Sequence, residues 1–244
     1  MRWTFTPDEF MHVWAETDLD RYPHPLRLMS AYRLLSDFEV AKQEIAGRLR
    51  HGHDSDLSVA LRIMAIAETR ITITGEEGIP PQDIRMLGGS IGSMGVVVRQ
   101  CPGPTGAVTI VLGPADEVPS RMVDALTSRP KGRLAPMTET FDRVRDSQAP
   151  VMASAAANKS AGMQIRRLLK SPRDCTGRVV VTRHANAGTP SPIEYISWMD
   201  IAGDGRYLIR QSSEIEVVPC SDDYLVTELA RLSGMRERAR HRRG

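Results

Sequence analysis

The chain has 244 residues, 41% of them hydrophobic, which is enough to bury the core of one large domain. It has no run of about eighteen apolar residues that could span a bilayer, and Met1–Asp8 lack the apolar stretch of a secretory signal, so we expect a cytosolic protein. The cysteines Cys101, Cys175 and Cys220 show no Cys-x-x-Cys spacing, which argues against a zinc knuckle or a disulfide framework.

The net charge of +2 is unevenly distributed along the chain. Residues 235–244 contain five arginines and one glutamate, a net charge of +4, so residues 1–234 sum to −2. A nucleic-acid-binding domain usually carries its positive charge on a folded surface, together with aromatic residues that stack on bases. Residues 235–244 contain no aromatic residue. We therefore expect a basic disordered tail after a slightly acidic domain, and no nucleic-acid partner.

The first quarter of the chain is predicted to be mainly helical. Thr6–Glu9 form a capping box with proline at the first helical position, and Ser36–Glu39 match a second capping box. Trp3 and Phe5 alternate just before the first box and indicate a short strand or a staple onto the helix. Two prolines make Tyr22–Leu26 extended. The predicted helices run from Pro7 to about Thr17, from the second box to about Arg50 with Phe38, Ala41, Ile45 and Leu49 inward, and from about Asp56 to Ala67.

From Arg70 onward the hydrophobic period changes from helical to two, which indicates a sheet. Four short strands follow, with clusters of glycine and proline between them, a pattern typical of an antiparallel meander. The predicted strands are Arg70–Thr74, about Asp83 to Gly89, Met94–Gln100 and Ala107–Leu112, and a helix from about Val118 to Ser128 closes this half.

The second half repeats this order after residues 129–157, which are rich in proline and charge and are predicted to be a mobile linker. A turn at Gly203–Gly205 joins two of its strands. The sequence thus predicts one domain, residues 1–234, with an N-terminal half of about 1–128 and a C-terminal half of about 158–234 that form a structural pseudo-repeat. The predicted elements are a helix from about Ser160 to Lys170, strands at about Arg178–Arg183, Ile193–Ile201, Gly205–Gln211 and Ile215–Val218, and a helix from Ser221 to about Ser233.

Two patterns invite a ligand-binding interpretation, and in both the residues favour a structural role. Residues 87–95 are rich in glycine but match neither the dinucleotide fingerprint nor the Walker pattern, and a strand follows where a phosphate site needs a helix N-terminus. We expect a turn or bulge there. His51 and His53 lie at a glycine-containing helix end with no other metal ligands nearby in sequence, so we expect a helix C-cap.

Asp200, Arg206 and Tyr207 form the one polar group that could be called a site. They can face each other across a hairpin, but an arginine beside a carboxyl stays charged and lowers the pKa of that carboxyl, so the group is expected to fix the hairpin. The sequence shows no Gly-x-Ser-x-Gly elbow and no paired carboxylates on one helix face. We therefore expect no catalytic residue, no cofactor, no bound metal and no enzyme activity.

An ordered set of short motifs runs through nearly the whole chain. It consists of Thr6-Pro7-x-Glu9-Phe10 with Trp14, Tyr22-Pro23-x-Pro25-Leu26, a helix through Leu49 that ends in Arg50-His51-Gly52, the strand Arg70–Thr74, Leu168-Leu169-x-x-Pro172-Arg173, and Trp198-x-Asp200 with Gly205-Arg206-Tyr207 and Pro219. Together these motifs resemble the EspG family, the cytosolic chaperones of type VII (ESX) secretion in actinobacteria.

The resemblance implies an α+β fold: a single domain of two pseudo-two-fold halves, with a central antiparallel β-sheet flanked by helical bundles. It also implies a chaperone that binds a PE-PPE heterodimer, keeps it soluble before export, and is a monomer or weak homodimer when free. Family complexes use a loop of the central sheet and part of the C-terminal helical region, which correspond by position to Gln100–Thr105 and Ser221–Leu232. The implied partner-binding residues are Gln100, Cys101, Pro102, Gly103, Pro104, Thr105, Tyr224 and Glu228.

Two other functions stay open at this point. A module that binds nucleic acid or membrane through the arginine-rich tail would be retained on heparin in a salt-dependent way, and removal of residues 235–244 would abolish that retention. A small-molecule-binding enzyme or sensor would need a pocket between the two halves, and metabolites would then shift its melting temperature.

Overall fold

The computed structural model describes residues 1–145, 160–185 and 191–235. In its first half, a four-residue strand and three helices precede a four-stranded meander and a closing helix. The elements are β1 (Arg2–Phe5), α1 (Pro7–Trp14), α2 (Leu35–Arg48), α3 (Ser55–Ile66), β2 (Thr69–Glu77), β3 (Gln82–Ile91), β4 (Met94–Gln100), β5 (Val108–Pro114) and α4 (Val118–Asp124).

The second half follows the same plan. A short strand and two helices precede a meander and a closing helix, which confirms the predicted pseudo-repeat. The elements are β6 (Met137–Thr140), α5 (Phe141–Arg145), α6 (Ala161–Lys170), β7 (Arg173–Arg183), β8 (Glu194–Ile201), β9 (Gly205–Gln211), β10 (Glu214–Pro219) and α7 (Asp222–Ser233).

The ten strands of the described residues form one antiparallel sheet in the order β1-β5-β4-β3-β2-β7-β8-β9-β10-β6. The two halves of this order mirror each other, since β2 and β7 meet at the centre and the short strands β1 and β6 form the edges. In the central pair, Ile73 lies opposite Val179. A pseudo-two-fold axis therefore passes between β2 and β7, and the predicted α+β fold class is confirmed.

Helices cover the two faces of the sheet differently. On one face, which we call the α4/α7 face, α4 and α7 pack together over the central strands and share a core with Ile73, Val179 and Trp198. On the opposite face, α1 and α3 cover the first half, and α5 and α6 cover the second. The outer strands on the α4/α7 face are therefore left without a helix.

The first capping box forms as the sequence predicts. Thr6 Oγ1 accepts a hydrogen bond from Glu9 N at 3.3 Å, and Glu9 Oε2 accepts one from Thr6 N at 2.8 Å. At the other end of the chain, Ser221 caps α7 by accepting a hydrogen bond from Tyr224 N at 3.2 Å. These local contacts satisfy backbone donors that a helix start leaves free, so both helices begin where the sequence indicates.

The second predicted capping box is wrong. α2 begins one residue earlier than the box, at Leu35, and the residue before it makes no side-chain cap. Ser36 lies inside the helix, where its hydroxyl donates to Asp37 Oδ1 at 3.2 Å. The inward stripe of this helix is confirmed in part, because Ala41 and Ile45 are buried, whereas Phe38 and Leu49 are half-buried.

Two elements lie inside the segment predicted to be a mobile linker, residues 129–157. β6 pairs with β10, with Met137 opposite Val217, and α5 follows it directly. The second half therefore begins about twenty residues before the predicted boundary at residue 158. α4 ends at Asp124, earlier than expected, and β7 begins earlier than expected, at Arg173. Residues 146–157 of the predicted linker lie outside the described residues.

The glycine-rich stretch 87–95 contains the predicted turn, which joins the end of β3 to the start of β4. Gly92 turns the chain between β3 and β4 with a φ of 58°, in the left-handed region that favours glycine. Gly88 lies within β3, where a Cβ atom would stand 2.4 Å from the sulfur of Met122, so its missing side chain lets α4 pack directly on the sheet.

The folded domain extends one residue beyond its predicted end at residue 234. Gly234 ends α7 in the left-handed conformation, and Met235 then folds back into the α4/α7 core, where it is 1% exposed. The predicted tail, residues 235–244, therefore loses its first residue to the domain. Residues 236–244 lie outside the described residues. Among the helices that the structure describes, none is both long and apolar enough to cross a membrane.

Candidate functional site

The loop between β4 and β5, together with the last residue of β4, contains six of the predicted partner-binding residues. Gln100 is the last residue of β4, and Cys101, Pro102, Pro104 and Thr105 are exposed in the loop that follows. This loop and the residues around it are the first part of the candidate site.

Gln100 is 1% exposed, and its side-chain amide holds a second segment against the loop. Its Oε1 accepts a hydrogen bond from Arg27 N at 2.9 Å, and its Nε2 donates to the carbonyl oxygen of the same residue. Farther along, Met29 N donates to Pro104 O at 3.0 Å. Gln100 therefore contributes to the candidate site by fixing the loop, while the neighbouring residues supply its exposed surface.

The loop itself has a defined shape. Gly103 has a φ of 86°, and its carbonyl oxygen accepts a hydrogen bond from Gly106 N at 3.1 Å. Cys101 N donates to Ala107 O at 2.8 Å, which closes the loop at its base. Two exposed prolines with restricted φ complete a surface that needs little ordering before it binds.

The β2–β3 turn lies beside this loop and carries an apolar side chain that the sequence analysis did not single out. Ile79 is 94% exposed, and Gly78 N anchors the turn by donating to Asp174 O at 2.8 Å. A groove of about 280 Å³ separates the turn from the loop. The signal in the sequence is an isoleucine between a glycine and two prolines, at a place where a polar turn residue is usual. The residues that line the groove include Ile79, Pro80, Ile84, Arg99, Pro102 and Leu126.

The other predicted binding residues, Tyr224 and Glu228, lie on α7. Tyr224 is 39% exposed and accepts a hydrogen bond from Arg210 Nη2 at 3.0 Å. Glu228 is 5% exposed, and its carboxylate accepts hydrogen bonds from Arg210 Nε at 3.1 Å and Arg231 Nη2 at 2.8 Å. Burial raises the pKa of Glu228, but the hydrogen bond from Arg231 and the charges of both arginines outweigh it, so the pKa lies below its ordinary value.

The structure does not bring these two parts of the predicted site together. The β4–β5 loop is hydrogen-bonded to the segment around Arg27, whereas Tyr224 and Glu228 are bonded to Arg210. Within the described residues, no hydrogen bond or ion pair joins the loop to this pair. The loop and the β2–β3 turn thus form one candidate surface, and α7 presents a separate one.

The predicted polar group on the β8–β9 hairpin is a buried ion pair. Asp200 lies opposite Arg206, as expected, and both side chains are almost fully buried. The guanidinium also donates to Asp222 Oδ1 at 2.7 Å and to Thr127 O at 2.8 Å. Burial lowers the pKa of Arg206, but the hydrogen bonds and negative charge of Asp200 and the charge of Asp222 outweigh it, so the pKa is raised. The group ties the hairpin to the segment after α4 and to the start of α7.

Tyr207 does not join this group. Side chains of adjacent strand residues point to opposite faces of a sheet, so Tyr207 packs in the core beneath α5 and α6. Its hydroxyl accepts a hydrogen bond from Leu134 N at 3.0 Å and donates to Asp204. The expectation that it faces Asp200 is wrong, and its role is to hold the segment that leads into β6.

His51, one of the two histidines predicted to cap α2, makes a packing contact instead. The ring of His51 packs against that of His12 on α1, with 4.5 Å between centroids, and its Nε2 donates to His12 O at 2.9 Å. The expected C-cap of α2 by histidine is wrong, since the cap is at Leu49. In the residues that the structure describes, no group of three or more His, Cys, Asp or Glu side chains could hold a metal ion.

The buried cysteines are unsuited to nucleophilic chemistry. Burial, with the charge of Asp200, raises the pKa of Cys175 to about 12. Burial also raises the pKa of Cys220 to about 12. Both thiols are therefore protonated at neutral pH, whereas a nucleophilic cysteine acts as the thiolate.

Residues 6–231 match the model of the EspG family. The chain belongs to the EspG family. A solved structure similar to this EspG chain is that of the Mycobacterium tuberculosis type VII secretion system chaperone EspG5 in complex with a PE25-PPE41 dimer, at a TM-score of 0.64 and 10% identity over 95% of each chain. At 10% sequence identity, this similarity shows a shared fold. No curated protein matches the chain.

The motifs by which this EspG chain resembles its family have structural roles. Thr6 and Glu9 cap α1, Trp14 donates its indole N–H to Arg21 O at 3.0 Å, and Asp200 pairs with Arg206 in the core. These side chains are therefore used inside the fold, and the exposed surfaces are the parts of the described structure that are open to a partner.

Proposed function

We propose that this EspG chain is a type VII secretion chaperone that binds a PE-PPE-type heterodimer and keeps it soluble before export. The observation that carries the proposal is the family match over residues 6–231, and the similar fold of EspG5, which was solved with a PE25-PPE41 dimer, supports it. The proposal includes a cytoplasmic location and a chaperone that is a monomer or weak homodimer when free.

Such a chaperone acts by binding alone. An exposed apolar patch on the client drives its aggregation, and a partner that covers the patch lowers the concentration of the aggregation-prone form by mass action. No bond is made or broken, and no nucleotide is consumed. The proposal assigns no chemical step to the buried pair of Asp200 and Arg206, whose role is structural.

We place the client on the surface formed by the β2–β3 turn and the β4–β5 loop. Ile79 on one side and Pro102 on the other flank the groove, which is large enough to take apolar side chains from the tip of a helical bundle. Asp83 and Arg99 lie at the same groove and supply the polar rim that protein interfaces usually have.

Gln100 makes this surface stiff before the client arrives. Its buried amide holds Arg27 by two backbone hydrogen bonds, so the loop and the segment beside it are fixed in the free protein. A surface that is already ordered loses less conformational entropy on binding, and more of its contact energy appears as affinity.

The test is co-expression with PE-PPE pairs encoded in the same organism, followed by size-exclusion chromatography with light scattering. We expect one pair to elute with the chain as a single species with the mass of all three proteins. The chain expressed alone and each pair expressed alone provide the reference elution volumes. If every pair elutes apart from the chain, the proposed function is wrong.

A further inference from the structure

A row of side chains crosses the sheet on the α4/α7 face, and the pseudo-two-fold axis divides it. The register of β8 and β9, with Ser197 opposite Ile209, places Arg210 beside Ile196. Counted inward from each edge, Arg99 and Arg210 therefore occupy equivalent positions. In the first half the row reads Thr4, Thr109, Arg99 and Met86. In the second half it reads Thr138, Glu216, Arg210 and Ile196.

The second half shows what an arginine at this position binds. Arg210 Nη1 donates to Glu216 Oε2 on the adjacent strand at 2.8 Å, and its Nε donates to Glu228 Oε1 on α7 at 3.1 Å. The hydroxyl of Tyr224 accepts a further hydrogen bond. The guanidinium is thus neutralised by two carboxylates of its own chain.

The first half lacks both carboxylates. The adjacent strand has Thr109 where the second half has Glu216. The helix over this half, α4, presents Arg121, which is paired at 2.6 Å with Glu117, the residue just before this helix. Arg99 is exposed, and no hydrogen bond or ion pair holds its side chain in the part of the chain that the structure describes.

Arg99 lies in an open depression of about 480 Å³ between α4 and the outer strands, which we call the basic depression. Arg2 and Arg121 also line it, against a single acid, Asp124. Val97 and Val111 form part of its floor. Its lining therefore combines an excess of positive charge with an apolar base.

We propose that the basic depression binds an acidic segment of a partner protein. Carboxylates of that segment take the place around Arg99 that Glu216 and Glu228 take around Arg210, and its apolar residues cover Val97 and Val111. Arginine suits this role because its planar guanidinium binds a carboxylate with two parallel hydrogen bonds. The proposal rests on the internal comparison of the two halves and does not require the chaperone function. The basic depression adjoins the proposed client groove, since Arg99 lines both.

The test uses a short fluorescein-labelled peptide of alternating Glu and Leu residues, titrated with the full chain in a fluorescence anisotropy assay. We expect the chain to bind this peptide and not its Lys-Leu counterpart. Arg99→Glu reverses the central charge, and Thr109→Glu supplies the carboxylate that Glu216 supplies in the other half. Each variant is expected to weaken peptide binding about tenfold or more, the effect of losing or opposing one close charge pair.

Arg62→Glu is the matched control, because Arg62 is exposed on α3, away from the basic depression, and the substitution changes the net charge by the same amount. The arginines of residues 236–244 are present in every variant, so binding to them does not depend on Arg99. Equal peptide affinity in wild type, Arg99→Glu and Thr109→Glu overturns the proposal. Inorganic phosphate that binds at Arg99 as tightly as the peptide also overturns it, in favour of a small-anion site. Melting temperatures of all variants establish that they are folded.

Discussion

Arg206 and Asp200 lie side by side on adjacent strands in the core, joined by hydrogen bonds of 2.7 and 3.0 Å between the guanidinium and the two carboxylate oxygens. The pair is sealed from water. Removal of Arg206 leaves the charge of Asp200 buried without its counter-ion, whereas removal of Asp200 leaves Arg206 with Asp222 as its remaining carboxylate. The two residues therefore act as one unit that the fold depends on.

Substitution of Arg206 by alanine is expected to lower the free energy of unfolding by about 3–5 kcal/mol, because it leaves the buried charge of Asp200 without its partner. Glu117→Ala is the control, since it breaks the exposed pair with Arg121 and should cost about 0–1 kcal/mol. Urea unfolding measures both variants. Client binding by the folded fraction should survive, and unchanged stability with abolished binding would contradict the structural role.

Ile79→Asp is expected to weaken client binding without loss of stability. The side chain is exposed in the free protein, so a charge there costs the fold little, but it must be desolvated when an apolar client covers the turn. Val59→Asp, at an exposed apolar residue of α3, is the matched control. Titration calorimetry with a cognate PE-PPE pair should show a loss of about tenfold or more for Ile79→Asp alone. Equal affinities of wild type and Ile79→Asp would show that the client binds elsewhere.

The double substitution of Pro102 and Pro104 by glycine should loosen the β4–β5 loop. We expect client binding to weaken by about 1–2 kcal/mol, the scale of ordering a flexible segment at an interface, while the body stays folded. The same calorimetric titration gives the affinity, and the melting temperature reports the fold. An unchanged affinity in a folded variant would show that the client is held away from this loop, with the surface around Tyr224 on α7 as the next candidate.

Glu228 should contribute a pH-dependent part of the stability. Its pKa in the folded protein lies below the ordinary value of 4.5, so the contribution is fully present above about pH 4.5 and is lost as the pH falls through the folded pKa. In that range the unfolded chain binds the proton more readily than the native protein does. As the pH is lowered through this range, the free energy of unfolding should fall less steeply for Glu228→Gln than for wild type. Parallel profiles would contradict the prediction.

Two truncations test the end of the domain. Removal of residues 236–244 should leave the melting temperature almost unchanged, whereas removal of residues 235–244 should cost roughly 2–5 kcal/mol, because it also takes Met235 out of the core. Thermal and urea unfolding of the two proteins measure the difference. Equal stability would show that Met235 contributes nothing to the core, and a large loss from the shorter truncation would place further stabilising contacts beyond it.

Elements with a local signal could be predicted from the sequence. The capping box at Thr6 and the alternation of β4 and β5 specify their own structure, because the contacts that stabilise them lie within a few residues. β6 has no such signal: it is a four-residue strand with one buried side chain, Met137, and it exists because β10 pairs with it. Short elements of this kind depend on partners that are distant in sequence, so local patterns cannot predict them.

The candidate site was predictable only in part. A loop with Pro102 and Pro104 between two strands can be recognised from sequence, but the sequence does not show that Gln100 is buried and bonded to Arg27, since that contact joins residues 73 apart. The exposure of Ile79 depends on the fold around the turn, since no residue in the described part of the chain covers it. The equivalence of Arg99 and Arg210 requires the register of the whole sheet.

The central strand β2 pairs with β7, which is synthesised only with the second half of the chain. The first half of the chain contains every other partner of its own strands, so its strand pairing can begin while the ribosome is still making the second. Until Arg173–Arg183 has emerged, however, the backbone of Thr69–Glu77 is a long unprotected sheet edge, able to pair with a strand of another nascent chain. Slowing translation between residues 128 and 183 should therefore increase co-aggregation of neighbouring nascent chains.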